Sequence, residues 1–391
     1  MRVVIASDKF KGSATGAEVA AALAEGVRAM LPDAEVAVAP VADGGEGTLE
    51  AAEAAGFVRV PVRVTGPTGE PVEAAIALRG AEAIVEMATA SGLDLLPGGV
   101  RAPRTATSRG TGELIRAALD QGATSIVLGV GGSASTDGGA GMLQALGAVL
   151  TVAQARGEEV GPGGAALGEL AEVDLSGLDP RLAGVQIVLA SDVDNPLLGE
   201  RGAAAVFGPQ KGADAEDVAA LERGLARLAS LIDAHPRALP SAHTPGAGAA
   251  GGVGYAALAV LGARREPGIE VVQRITGLAD RLAGADLVIT GEGSLDAQSL
   301  GGKTPLGVAA AARAASAPVV AVCGRSTLAA GEVDAAGFAA VYALAEIEPD
   351  PAVSMAEALP LLQRVGRLIA EDLARGRFAG DDSSVGSVGR E

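Results

Sequence analysis

The chain has 391 residues, 49% of them hydrophobic but only 2% aromatic, and a formal net charge of −18. That length supports two or three domains with aliphatic cores, and the acidic balance argues against nucleic acid or an anionic membrane as partner. A single cysteine excludes an intrachain disulfide framework and a Cys-rich zinc site.

The chain opens directly on an apolar strand and has no uninterrupted run of apolar residues long enough to span a bilayer, so it reads as cytoplasmic. Strands over 3–7 and 35–40 alternate with helices over 15–30 and 47–55, the pattern of a parallel sheet. Strands over 57–65, 71–78 and 83–87 follow on short turns, which predicts antiparallel pairing and entry into an inserted domain. That insert carries a loop over 101–111, a helix over 112–120, a strand over 125–128 that breaks into a glycine-rich loop, a strand over 185–190 and a helix over 216–234. The run over 245–254 reads equally as a hinge or as a floppy loop. Strands over 286–290, 318–323 and 340–344 then alternate with helices over 303–315 and 352–374. Two leading and three trailing strands predict a five-stranded parallel sheet in a discontinuous domain, 1–60 with 265–376, around an inserted domain, 61–264. Residues 377–391, rich in Ser, Gly and Asp, read as a disordered tail.

Five strand ends are polar. Ligands of open α/β sheets bind beyond the carboxyl ends of strands, so these ends predict one shared site. The loop with Gly131, Gly132, Ser133, Asp137, Gly138 and Gly139 suits an anion. Glycine lets backbone N–H groups come close, and the following helix N-terminus adds partial positive charge. The plainer alternative is a tight turn with packing glycines. Asp8, Lys9, Lys11 and Ser13 follow the first strand; Lys11 suits a phosphate ligand, against the alternative of a surface lysine beside a helix cap. Asp43 and Glu46 flank Gly44 and Gly45, and carboxylates near phosphate need a cation or a substrate hydroxyl between them.

Asp192, Asp194 and Asn195 end another strand, and two carboxylates one residue apart suit Mg²⁺ or a general base, or an Asx turn before Pro196. Lys211 is a further loop lysine, of a kind usually found at the surface, and Glu292 lies between two glycines at the last polar strand end. The segment containing Lys303 and Thr304 is not a P-loop, because the pattern needs glycine where Ala297 stands, but both residues remain candidate ligand contacts. Cys323 reads as a small core residue, and the two histidines offer no triad or metal site.

The motifs Asp8–Ser13, Ala42–Thr48, Thr111–Ile115, Gly131–Gly141, Ser191–Leu197, Phe207–Gly212, Pro245–Gly252 and Thr290–Gly293 occur in the order seen in bacterial glycerate kinases. The chain resembles that family over 1–374 and departs from it at Lys9, where serine is usual, and at Ser294, where arginine is usual. The resemblance implies a discontinuous flavodoxin-like parallel-sheet domain with an inserted α/β domain of mixed sheet, and an active site in the cleft between them. It implies MgATP as donor and D-glycerate as acceptor by in-line phosphoryl transfer, with 2-phosphoglycerate favoured over 3-phosphoglycerate. The residues themselves point to Asp192, Lys11 and Asp43 for catalytic roles and to Asp192 and Asp194 for metal binding. The implied partners are small molecules, and the chain would act as a monomer or homodimer.

Phosphoryl transfer asks for positioning, cation bridging and a proton acceptor rather than a covalent nucleophile, which fits the absence of any His- or Cys-based motif. A non-catalytic regulator that binds nucleotide or sugar acid would carry the same loops. A dinucleotide-dependent oxidoreductase is disfavoured, since no strand end carries its glycine fingerprint with a distal acidic residue.

Overall fold

Strand β1 (Arg2–Ser7) is buried along almost its whole length, and its apolar side chains alternate between two cores. Val3 and Ile5 pack with the helices Gly16–Met30 and Ala358–Ala374, while Val4 and Ala6 pack with the helices Leu278–Leu282 and Thr304–Ala314. A strand apolar on both faces is what a parallel sheet covered by helices on both sides requires. The computed structural model describes residues 1–152, 157–297, 299–301 and 304–378. The further strands are β2 (Glu35–Val38), β3 (Val58–Thr65), β4 (Pro71–Arg79), β5 (Glu82–Glu86), β6 (Ser125–Gly129), β7 (Val149–Val152), β8 (Leu170–Asp174), β9 (Gln186–Ala190), β10 (Arg264–Glu266), β11 (Leu287–Leu295), β12 (Val319–Ser326) and β13 (Ala340–Ala343).

The chain divides into two units, Met1–Val41 with Thr276–Glu391, and Ala42–Ile275. The first holds a five-stranded, all-parallel sheet of order β13-β12-β11-β1-β2, the sheet expected from the alternating pattern. Its order reverses between β1 and β11, so the carboxyl ends of these two strands form the switch point where such sheets bind ligands. Cys323 is fully buried on β12, and burial pushes its thiol up to about 12, in keeping with a core residue.

The second unit holds a six-stranded sheet of order β10-β9-β6-β5-β4-β3. β3, β4 and β5 pair antiparallel, whereas β5, β6, β9 and β10 pair parallel and end at one edge. The mixed sheet expected for the insert is therefore present. β7 and β8 form a separate antiparallel pair.

Several expectations need correction. The helix Thr48–Ala54 and all but the last residue of the helix Gly268–Thr276 fall in the second unit, although 1–60 and 265–376 were expected to share a domain. The reason is packing: Leu49, Ala52, Val271 and Ile275 share one core with Ile84, Val127 and Val188 of the second sheet. The helix expected over 112–120 begins at Arg109. Gly110 reads as a loop residue and Gly112 as the first of the helix, but a Cβ at Gly110 would stand 2.1 Å from the Thr65 carbonyl oxygen, and one at Gly112 would stand 2.3 Å from that of Met142. They are points of close backbone approach within a helix. The run over 245–254 is neither hinge nor floppy loop: Ala247, Ala249 and Val253 are buried and the helix Val253–Ala259 starts within it. The helix expected over 352–374 is broken at Glu357 into Pro351–Ala356 and Ala358–Ala374. Of the tail expected over 377–391, residues 379–391 lie outside the described residues. Among the described residues no helix is long and apolar enough to cross a membrane.

Gly26 sets the closest approach of two helices in the first unit. A Cβ there would stand 2.2 Å from the Gln363 carbonyl oxygen and 2.9 Å from the Gly366 Cα. Overpacking a tight contact costs roughly 1–3 kcal/mol. Gly26→Val is therefore expected to lower the unfolding free energy by about that amount in urea, and an unchanged denaturation midpoint would contradict this packing.

Candidate active site

The parallel strands of the second unit deliver three loops to one edge, and the segment over 42–48 lies across them. Glycine makes this possible. A Cβ at Gly129 would stand 2.4 Å from the Gly44 carbonyl oxygen, one at Gly131 would stand 2.5 Å from the Gly45 Cα, and one at Gly268 would stand 1.9 Å from the Asp43 carbonyl oxygen. Gly44 has φ +84° and lies against Ala190. A Cβ at Gly132, which has φ +71°, would stand 2.7 Å from Glu46 Oε1. Asp43 accepts a hydrogen bond from the Gly45 N–H at 3.0 Å, the turn expected of an Asx residue. Gly44, Gly45, Glu46, Gly131, Gly132 and Ser133 are thus brought together with the end of β9.

Asp192 occupies that end. Its Oδ1 accepts from the Gly268 N–H at 2.7 Å, at the first turn of the helix Gly268–Thr276. Its Oδ2 is buried and has no hydrogen-bond partner. Burial pushes the carboxyl up to about 6, the Gly268 N–H opposes this, the charge of Asp43 adds to it, and Arg265 draws it back. Asp194, by contrast, is exposed and lies 3.6 Å from Arg201, an ion pair of small energetic weight. Asn195 donates to the Arg201 carbonyl oxygen at 2.8 Å, and its own carbonyl accepts from the Gly248 N–H, so it holds the turn. Asp192 and Asp194 therefore do not form a matched carboxylate pair. Among the described residues no three His, Cys, Asp or Glu side chains stand together as a metal cluster.

The second half of the glycine-rich loop turns inward. Asp137 has no exposed surface and accepts from the Ser108 N–H at 2.8 Å, the Ser108 hydroxyl at 2.9 Å and the Gly139 N–H at 3.1 Å. A Cβ at Gly138 would stand 2.5 Å from Leu228 Cδ2, and one at Gly139 equally close to Ala256 Cβ. Asp137, Gly138 and Gly139, expected at the ligand, are buried and packed against Ser108, Leu228 and Ala256. Sequence reasoning had no means of finding Ser108 as the partner, because the two residues lie on separate elements.

Lys211 is not at the surface either. It is 2% exposed, and its Nζ donates to Ser133 Oγ at 2.8 Å and to the Ser135 carbonyl oxygen at 2.5 Å. Burial lowers its pKa to about 7, against the upward pull of Asp137. Lys211 thus holds Ser133 in place from behind. The hydroxyls of Ser135 and Thr136 are buried beside it without hydrogen-bond partners.

In the first unit, Asp8 ends β1 and accepts from the Lys9 N–H at 2.7 Å and the Thr304 hydroxyl at 2.9 Å. Lys11 is exposed, Ser13 partly buried, and Thr15 rather than Ser13 caps the following helix in a box with Glu18. A Cβ at Gly293 would stand 3.4 Å from the Lys11 backbone nitrogen, so the ends of β1 and β11 touch there. Glu292 is partly buried on β11. Ser294 accepts from Arg325 Nε at 3.2 Å, so the neighbouring strand places a guanidinium beside the position that departs from the expected arginine. Lys303 lies outside the described residues.

Comparison with known proteins gives a consistent picture. The model of the glycerate kinase family matches residues 3–374. Glycerate 2-kinase of Escherichia coli (strain K12) is 48% identical over 350 residues, covering 88% of this chain and 90% of that protein. Glycerate kinase of Bacillus subtilis (strain 168) is 48% identical over 329 residues, covering 83% and 85%. A crystal structure assigned to glycerate kinase 2 from Salmonella typhimurium LT2 superposes with a TM-score of 0.80 at 45% identity, covering 96% of this chain and 99% of that one.

The Lys211 geometry has a consequence for stability. In the unfolded chain the amine titrates near its ordinary value of 10.5, whereas in the folded chain it does so at about 7. Between these values the unfolded state binds one more proton, so stability attributable to Lys211 is present at high pH and is lost as pH falls toward 7. The unfolding free energy of the wild type minus that of Lys211→Met is expected to rise from pH 7 to pH 9.5, by up to about 1.4 kcal/mol per pH unit. A difference independent of pH would show that the amine is not desolvated.

Proposed function

The chain belongs to the glycerate kinase family, and from that premise we propose that it transfers the terminal phosphoryl group of ATP to the 2-hydroxyl of D-glycerate, with Asp192 taking the hydroxyl proton. The family carries the coarser statement, a phosphotransferase acting on glycerate, with ATP as the substrate expected of a kinase. The choice of the 2-hydroxyl is supported by the name of the Escherichia coli relative, glycerate 2-kinase.

One observation carries the assignment of Asp192: one carboxylate oxygen is held by the Gly268 N–H while the other is buried and unpartnered. A carboxyl with pKa about 6 is ionised at neutral pH yet more basic than an ordinary aspartate, which suits an acceptor of a hydroxyl proton. In the transfer, the bond from the acceptor oxygen to the γ-phosphorus forms as that oxygen's proton passes to Asp192. The bond from the γ-phosphorus to its bridging oxygen breaks, and ADP leaves. Asp43 keeps Asp192 basic by its charge. The N–H groups of Gly44, Gly45, Gly131, Gly132 and Ser133 are proposed to hold anionic substrate oxygens, which glycine backbones can approach closely. In the first unit, Asp8, Lys11, Ser13 and Glu292 form a second polar strand end, where Lys11 is proposed to hold a phosphate as a point charge.

Mg²⁺ fits a site of this kind, since it needs only one or two protein carboxylates when phosphates and waters supply the rest. Asp194 is exposed and only loosely paired, so it is the carboxylate of this loop that could be spared for the ion, which would screen charge on the transferring phosphoryl oxygens. A regulator that binds without turnover would have no use for a proton acceptor of this kind, which favours the enzyme.

Asp192→Asn is expected to fold and to lose roughly 10²- to 10⁴-fold in kcat, the usual worth of general-base help; near-normal turnover would remove Asp192 from the reaction. In the wild type, kcat/KM is expected to fall on the acid side of about pH 6, as Asp192 becomes protonated. Asp43→Asn removes the neighbouring charge and should move that limb to lower pH, and a limb that stays in place would separate the two carboxylates. Lys11→Met should raise the KM for ATP by about 10- to 150-fold, the range for a lost hydrogen bond to a charged group. An unchanged affinity would return Lys11 to the surface.

A further inference from the structure

β10 places three charged residues in succession, and strand alternation separates them. Arg264 and Glu266 share one face and pair with each other, and Glu266 also pairs with Arg274 at 2.7 Å. Arg265 faces the other way. Among the described residues it has no ion pair and donates no hydrogen bond, and its Nε is buried without a partner. The side chain is nevertheless held. Gly246 has φ +89°, and a Cβ there would stand 2.5 Å from Arg265 Cδ and 2.9 Å from its Nε, so only glycine leaves room for it. The same flank of Gly246 meets the Val193 carbonyl oxygen, one residue beyond Asp192.

A guanidinium packed into place with no ion pair or hydrogen bond of its own, in a chain of net charge −18, is the complement of a carboxylate that arrives from outside. We propose that Arg265 binds the carboxylate of the acceptor acid, and that its place beside Asp192 selects the α-hydroxyl for phosphorylation. The chemistry of a 2-hydroxy acid ties the two residues together. The α-hydroxyl and the carboxylate sit on adjacent carbons, so a group next to the hydroxyl's proton acceptor meets the carboxylate. The β-hydroxyl lies one carbon further away. The electrostatic pull of Arg265 on Asp192 places both in one local field. Arg265 thereby deepens the reading of Asp192 as proton acceptor and rests on it. A planar fork suits this task better than an ammonium, because two parallel N–H donors fix both the position and the plane of a carboxylate.

The test uses the full chain with MgATP and D-glycerate, and the variants Arg265→Met and Arg265→Lys. Arg265→Met is expected to raise the KM for D-glycerate by about 10- to 150-fold while the KM for ATP stays within about twofold. Arg265→Lys keeps the charge but loses the fork, so its KM for D-glycerate should fall between. Phosphorus NMR of the product reads the second half of the proposal, with the 3-phosphoglycerate fraction rising in both variants. The unchanged KM for ATP reports that the fold is intact; if Arg265→Met does not fold, Arg265→Lys decides. A KM for D-glycerate within about twofold of wild type, or a KM for ATP that rises in step with it, overturns the carboxylate contact. A raised KM for D-glycerate with an unchanged product ratio overturns the selection of the hydroxyl. Should the wild type itself not phosphorylate D-glycerate, the reading of the reaction fails. Should it do so while the Arg265 variants match it, only this inference fails.

Discussion

The second unit depends on one constraint, the direct contact of two glycine backbones, Gly45 and Gly131, with no side chain between them. That contact lets the segment over 42–48 lie on the ends of β6, β9 and β10 instead of standing off by the thickness of a side chain. Gly44, Gly129 and Gly268 continue the same seam. Because the seam is tight, the charge of Asp43 acts on Asp192, and the Gly268 N–H reaches one oxygen of the same carboxylate. A single methyl group at Gly131 would force the two loops apart, and the electrostatics of Asp192 would change with them.

Three polar groups near this edge show three ways of meeting the cost of burial. Asp137 is satisfied by donors from its own loop and from Ser108, so it stabilises and does nothing else. Lys211 is pushed toward its neutral form, and a neutral amine has two N–H bonds to match its two acceptors. Asp192 is only half satisfied, with one oxygen held and one open. Stability favours the first two arrangements; the third leaves one buried oxygen without a partner.

The first unit obeys the same geometry with different means. Its parallel sheet reverses order between β1 and β11, and Asp8 and Glu292 belong to those two strand ends. There the loops are tied by side chains, Thr304 to Asp8 and Arg325 to Ser294, rather than by glycine contacts. The exposed Lys11 takes no part in those ties.

Much of this was legible in the chain. Period-two and helical patterns are local, so strands such as β1, β6 and β9, the five-stranded parallel sheet and the antiparallel pairing of β3, β4 and β5 could be read directly. Glycine and acidic residues clustered at strand ends pointed to Asp43, Gly131 and Asp192, because loop composition reports a backbone's need to approach something. What the chain could not state is the partner of each residue. Gly110 looks like loop and is helix, since what demands glycine there is a carbonyl on a distant element. Lys211 looks like surface and is buried, since its acceptors lie more than seventy residues away. Asp137 looks open to a ligand and is buried on Ser108, and nothing in the local sequence singles out Arg265. Local sequence determined which elements form and where polar chemistry gathers. Tertiary structure alone decided which of those polar groups are satisfied and which are left open, because satisfaction is a property of pairs brought together by folding.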